Sequence, residues 1–101
     1  MNVKVSTAVN GDVGTVCVDG EVDVSNADAL REGVLGLIAD EAVKTVEVDL
    51  AGVPYIDSTG IGVLVGAAHR AEDAGKALRV LRAQDNVSRI FGMLGVDEII
   101  G

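Results

Sequence analysis

Asp57-Ser58-Thr59-Gly60 sets a carboxylate, two hydroxyls and a glycine on four consecutive residues, ahead of an apolar run with helical spacing. A serine hydroxyl is a nucleophile or a phosphate acceptor when a base takes its proton, and otherwise an acceptor for backbone N–H groups. Three short polar side chains in a row are also what a helix N-terminus uses to cap its free amides. Those amides and the positive end of the helix dipole favour an oxyanion, so Ser58 stands where a phosphoryl group is tolerated. Taken locally, Ser58 reads as the N-cap itself, worth about 1 kcal/mol.

Other chemistries fit the residues less well. Gly60-x-Gly62-x-x-x-Gly66 follows a strand and opens a helix, but a dinucleotide fingerprint needs its third glycine one position earlier, and no ribose-binding acid follows at the right distance. Helix packing is the expected reason for these glycines. An aspartic-protease site needs two carboxylates sharing a proton and the order Asp-Thr-Gly, whereas here the order is Asp57-Ser58-Thr59-Gly60 and the motif occurs once. His69 is the single histidine. On a helix begun by Ser58 it lies roughly 16 Å further along at 1.5 Å per residue, too far for a triad. Among Arg70, Glu72 and Asp73 it reads as a solvated side chain, and neither Cys17 nor a carboxylate cluster stands at metal-ligand spacing to it. Neither a cofactor nor a metal is expected.

The elements that must place Ser58 follow from periodicity. Val46, Val48 and Leu50 alternate with Glu47 and Asp49, the two-residue period of a strand, which Ala51-Gly52-Val53-Pro54 ends. Ile61, Leu64, Val65, Ala68 and Ala71 then carry a helix to about Gly75. Upstream, Val3, Val5, Thr7 and Val9 alternate, Asn10-Gly11-Asp12 suits a tight hairpin turn, and a second strand runs from about Val13 to Asp19. Gly20-Glu21-Val22-Asp23 reads as a polar, flexible corner. Ser25 or Asp23 then caps a helix whose apolar members are Ala27, Leu30, Val34, Leu37 and Ile38. Gly33 and Gly36 inside it each cost up to about 1 kcal/mol relative to alanine, and a close approach to another backbone is their expected reason. Ala77–Leu81 reads as a further strand. Asp85 or Asn86 caps a last helix through Val87, Ile90, Phe91 and Leu94, and Ile99 and Ile100 are available for a short edge strand. The expected fold class is α/β: one domain over residues 1–101, a mixed, mostly parallel sheet opened by an N-terminal β-hairpin, with helices packed on it. The order is β-β-α-β-α-β-α, with an optional last β.

The 101 residues are 49% hydrophobic but only 2% aromatic, so the core is built from Val, Leu, Ile and Ala. Scarce aromatics and a formal charge of −8 argue against nucleic acid as a partner. No run approaches the ~20 apolar residues that span a bilayer, and the N-terminus shows no targeting pattern, so a cytoplasmic protein without a membrane partner is expected. Cys17, between Val16 and Val18, is read as a small buried hydrophobe in a reduced compartment.

The run Val53-Pro54-Tyr55-Ile56-Asp57-Ser58-Thr59-Gly60-Ile61-Gly62-Val63-Leu64, taken with Gly20-Glu21-Val22-Asp23 and Asp49-Leu50, resembles the STAS domain family and, more narrowly, bacterial anti-sigma factor antagonists. The likeness covers nearly the whole chain in order and spacing. It implies that Ser58 is phosphorylated by a cognate anti-sigma factor that is also a serine kinase. The unphosphorylated form would bind that kinase and free the sigma factor, and a serine phosphatase would remove the phosphate. The resemblance also implies partner contact through Asp23, Asp57, Ser58, Thr59, Gly60 and Ile61, in a protein that is not an enzyme and is a monomer when free. The competing reading is a STAS interaction subunit of a stress-signalling or lipid-transport complex; Ser58 in place of threonine favours the first. Many relatives carry a longer segment beyond the position of Gly101, which leaves any contact made by that segment open.

Overall fold

Gly11 adopts φ 64°, the positive angle that a two-residue hairpin turn demands, and so joins β1 (Lys4–Asn10) to β2 (Val13–Asp19) in antiparallel register, with Asn10 opposite Val13 and Lys4 opposite Asp19. The computed structural model describes residues 3–95. It continues with α1 (Ala27–Ala39), β3 (Thr45–Gly52), α2 (Ser58–Asp73), β4 (Ala77–Leu81) and α3 (Asp85–Met93). Ile99 and Ile100, the residues available for a last strand, lie outside the described residues.

The sheet order is β1-β2-β3-β4, with β2, β3 and β4 parallel, so the expected mixed and mostly parallel sheet is what forms. Period-two alternation sends Val16 and Val18 of β2, Val46, Val48 and Leu50 of β3, and Leu78 and Val80 of β4 into one buried layer. Against it α1 presents Ala27, Leu30, Val34, Leu37 and Ile38, the five residues its spacing picks out. From α2 come Ile61, Val63, Leu64, Ala67 and Ala71; Val65 and Ala68 are only partly covered. Val87 and Phe91 of α3 complete the core, while Leu94 is exposed.

The same alternation corrects the reading of Cys17. Flanked by two buried valines, it points to the opposite face of the sheet, which none of the described helices covers, and is exposed. Helix caps also differ from expectation. α1 begins after Asn26, without a side-chain cap. Asp23 and Asn26 bond to one another instead, with Asp23 N donating to Asn26 Oδ1 and Asn26 N to the Asp23 carbonyl. α3 begins after Gln84, also uncapped by a side chain, because Asn86 Nδ2 donates to the Pro54 carbonyl at 2.6 Å and Gln84 Nε2 to Ala51 O at 2.9 Å. These two bonds strap the start of α3 to the end of β3. At the other end of the sheet Lys76 Nζ donates to Ile38 O and Asp40 O at 2.6 and 2.8 Å, closing the C-terminal carbonyls of α1.

Candidate functional site

Because β2 and β3 run parallel, their C-terminal ends emerge side by side, the usual location of sites in parallel sheets. The chain beyond each end stays paired. Gly20 N donates to Gly52 O, Val22 N to Tyr55 O, and Asp57 N to Val22 O at 3.0–3.1 Å, and Val22 forms a parallel bridge with Ile56. The Gly20–Asp23 corner is therefore pinned rather than flexible. Val22 and Ile56 are fully buried, which drives the pairing and leaves their polar neighbours outside.

At the mouth of α2 the N-cap is Asp57, not Ser58. Its backbone is extended (φ −92°, ψ −179°), and Oδ1 accepts from Gly60 N at 3.0 Å. The second carboxylate oxygen, Oδ2, accepts from Val24 N at 3.1 Å. One side chain thus caps α2 and ties the β2–α1 loop to it, and Asp23 is brought beside Asp57 between the two bonds made by Val22 and Val24. Sequence alone does not decide which of three adjacent polar residues takes the extended backbone of a cap. The non-local pairing of Val22 with residues 55–57 decides it.

With the cap filled by Asp57, Ser58 occupies the first turn of α2, exposed, and its hydroxyl has no hydrogen-bond partner among the described residues. Thr59 is exposed as well. Gly60 and Ile61 are buried, so the contact expected of them is indirect: they seat the turn that carries Ser58. A Cβ on Gly60 would stand 2.7 Å from Ile56 Cγ1 and 2.8 Å from Val22 Cγ1, so only glycine lets α2 begin this close to the bridged pair.

Asp23 is held below the ordinary carboxylate range by the residues that follow it. Its Oδ1 accepts from the Ser25 hydroxyl at 2.5 Å and the Ser25 amide at 2.9 Å, and these bonds lower its pKa below the ordinary carboxylate value. Two further residues escaped the sequence reading: Val24, next to Asp23, is 75% exposed and Tyr55, two residues before Asp57, 45%. Their signal in the sequence is slight, an apolar residue inside a polar corner and the chain's single tyrosine after Pro54. His69 is exposed, as expected, far down α2 from Ser58.

The sheet order, the paired corner and the serine left exposed behind the Asp57 cap together define a class, and the family comparison agrees: the STAS domain model matches residues 4–101, and the chain belongs to that family. Among sequence relatives, the anti-sigma-B factor antagonist of Staphylococcus epidermidis is 34% identical over 100 residues, covering 99% of this chain and 92% of that protein. Among solved structures, an anti-sigma factor antagonist from Mycobacterium paratuberculosis superposes with a TM-score of 0.86 at 22% identity, over 98% of this chain and 83% of that one. SpoIIAA, an anti-sigma factor antagonist, superposes in its unphosphorylated form with a TM-score of 0.82 at 19% identity, over 99% of this chain and 86% of that one. In its phosphorylated form the TM-score is 0.75 at 18% identity, over 99% and 89%.

Proposed function

We propose that this protein is an anti-sigma factor antagonist. Its unphosphorylated form docks on a cognate anti-sigma factor that is also a serine kinase, displacing the sigma factor, and phosphorylation of Ser58 ends that docking. The observation that carries this reading is the exposed Ser58 hydroxyl in the first turn of α2, without a partner among the described residues and with the helix cap already made by Asp57. The family membership and the 34%-identical antagonist support the class of partner.

In the transfer, Ser58 Oγ forms a bond to the γ-phosphorus of a nucleoside triphosphate held by the kinase. The diphosphate leaves and the hydroxyl proton passes to a base of the kinase. No side chain of this protein acts on the phosphoryl group; it is the substrate. The product brings about −1.5 to −2 charges to a helix N-terminus, where dipole and free amides accept them, so the fold persists. The effect is outward. Beside Asp57 and Asp23 the new dianion deepens a negative rim around Val24 and Tyr55, and a partner face matched to the neutral hydroxyl and these apolar side chains loses about 3 kcal/mol. A serine phosphatase resets the switch, and the chain works in the cytoplasm as a monomer when free.

The test is a phosphate-transfer assay with the purified kinase. Wild type accepts label and Ser58→Ala accepts none while still binding the kinase; equal labelling of Ser58→Ala would place the acceptor elsewhere.

A further inference from the structure

Glycine inside a helix costs about 0.5–1 kcal/mol relative to alanine, so each one asks for a reason. Packing supplies it for Gly60, against Ile56 and Val22, and for Gly33, where a Cβ would meet Val5 Cγ1 at 3.0 Å. It supplies none for Gly62 and Gly66: a Cβ at either meets nothing within 4 Å among the described residues, contrary to the expectation that helix packing explains all three glycines of α2. Gly36 of α1 is likewise open among the described residues, and Gly33 meets side chains, so the close approach to another backbone expected of both is absent there.

Ser58, Gly62, Gly66 and Arg70 follow one another at four-residue steps and form a single row along α2. Beside that row, between α2 and α1, runs an open trough of about 400 Å³. Gly62 and Gly66 line it together with Leu35 and Val63, and Arg31 and Arg70 supply its charge. This is a local reversal of sign in a chain with 16 acidic and 8 basic residues. Arg70 has no ion-pair partner among the described residues. Arg31 has only Asp28 on its own helix, Nη1 to Oδ1 at 2.7 Å, an exposed pair that a better-placed carboxylate displaces at little cost.

We propose that this trough is a second docking element for the same kinase, taking a segment of it that bears Asp or Glu side chains. Its backbone lies along the open edge over Gly62 and Gly66, and its carboxylates meet the guanidinium forks of Arg31 and Arg70. The proposal rests on the reading of Ser58 as the phosphoacceptor, with which the row is continuous. The arginines do not serve the phosphate itself, since Arg70 lies roughly 18 Å along α2 from Ser58 at 1.5 Å per residue. The trough therefore holds the partner while Ser58 gates it.

Binding of the purified Ser58 kinase to four variants, and crosslinking from a fifth, tests this. Ser58→Ala binding like wild type and Ser58→Asp binding poorly establish the gate independently of the trough. Given that, Gly66→Leu weakens binding at least tenfold with no loss of melting temperature, since its side chain enters open space. Arg70→Glu weakens it at least fivefold and flattens its salt dependence. In a Cys17→Ser background, Gly66→Cys carrying a benzophenone maleimide crosslinks to a kinase peptide containing Asp or Glu. Wild-type affinity in Arg70→Glu, or a crosslink confined to a basic peptide, overturns the trough while leaving the gate intact; should Gly66→Leu fail to fold, Arg70→Glu and the crosslink still decide.

Discussion

Ser58 owes its availability to the residue before it. Asp57 satisfies Gly60 N with one oxygen and Val24 N with the other, which frees the neighbouring hydroxyl from structural duty. Asp57→Ala therefore loses a cap and a loop tie, and thermal or chemical unfolding is expected to show a loss of about 1–2 kcal/mol. Faster amide exchange at Val24 and Gly60 accompanies it. A second carboxylate contributes to the acid response. Asp49, held below its ordinary value of 3.8 chiefly by hydrogen bonding from Arg82, is ionised in the fold at a pH where the unfolded chain is protonated. A depressed carboxylate stabilises the fold above its unfolded pKa and ceases to do so as the pH falls through the folded one. The advantage of wild type over Arg82→Met, followed by unfolding across pH, is thus full above 3.8 and closes below it.

At the scale of elements, period alone reveals most of the architecture. Strand β4 at Ala77–Leu81 and the buried stripe of α1 stand where alternation and helical spacing place them. Cys17 shows where residue type misleads: its chemistry argues for burial, but its position between Val16 and Val18 puts it on the uncovered face. The starts of α2 and α3 depend on bonds between segments some 30 residues apart, such as Val24 N to Asp57 Oδ2 and Asn86 to Pro54 O, and local sequence holds no trace of these. Lys76 is a further such case, reaching back to the end of α1. Lys76→Met should lower stability by about 1 kcal/mol, measured by denaturant unfolding, because the last carbonyls of α1 lose their cation.

For the molecule as a whole, a mostly parallel sheet brings two strand ends together, and the buried Val22–Ile56 bridge fixes the loops that carry Asp23 and Ser58 against each other. These bonds hold the acidic corner and the helix mouth in place before any partner arrives, so the proposed phosphorylation of Ser58 would change charge without changing shape. The direct measurement is titration calorimetry of the purified kinase against unphosphorylated and stoichiometrically Ser58-phosphorylated protein, with the melting temperature of both forms recorded. The account predicts a loss of affinity of at least a hundredfold, about 2.7 kcal/mol, with melting temperatures within a few degrees of one another. Equal affinity of the two forms, or loss of binding only through unfolding of the phosphorylated protein, would contradict it.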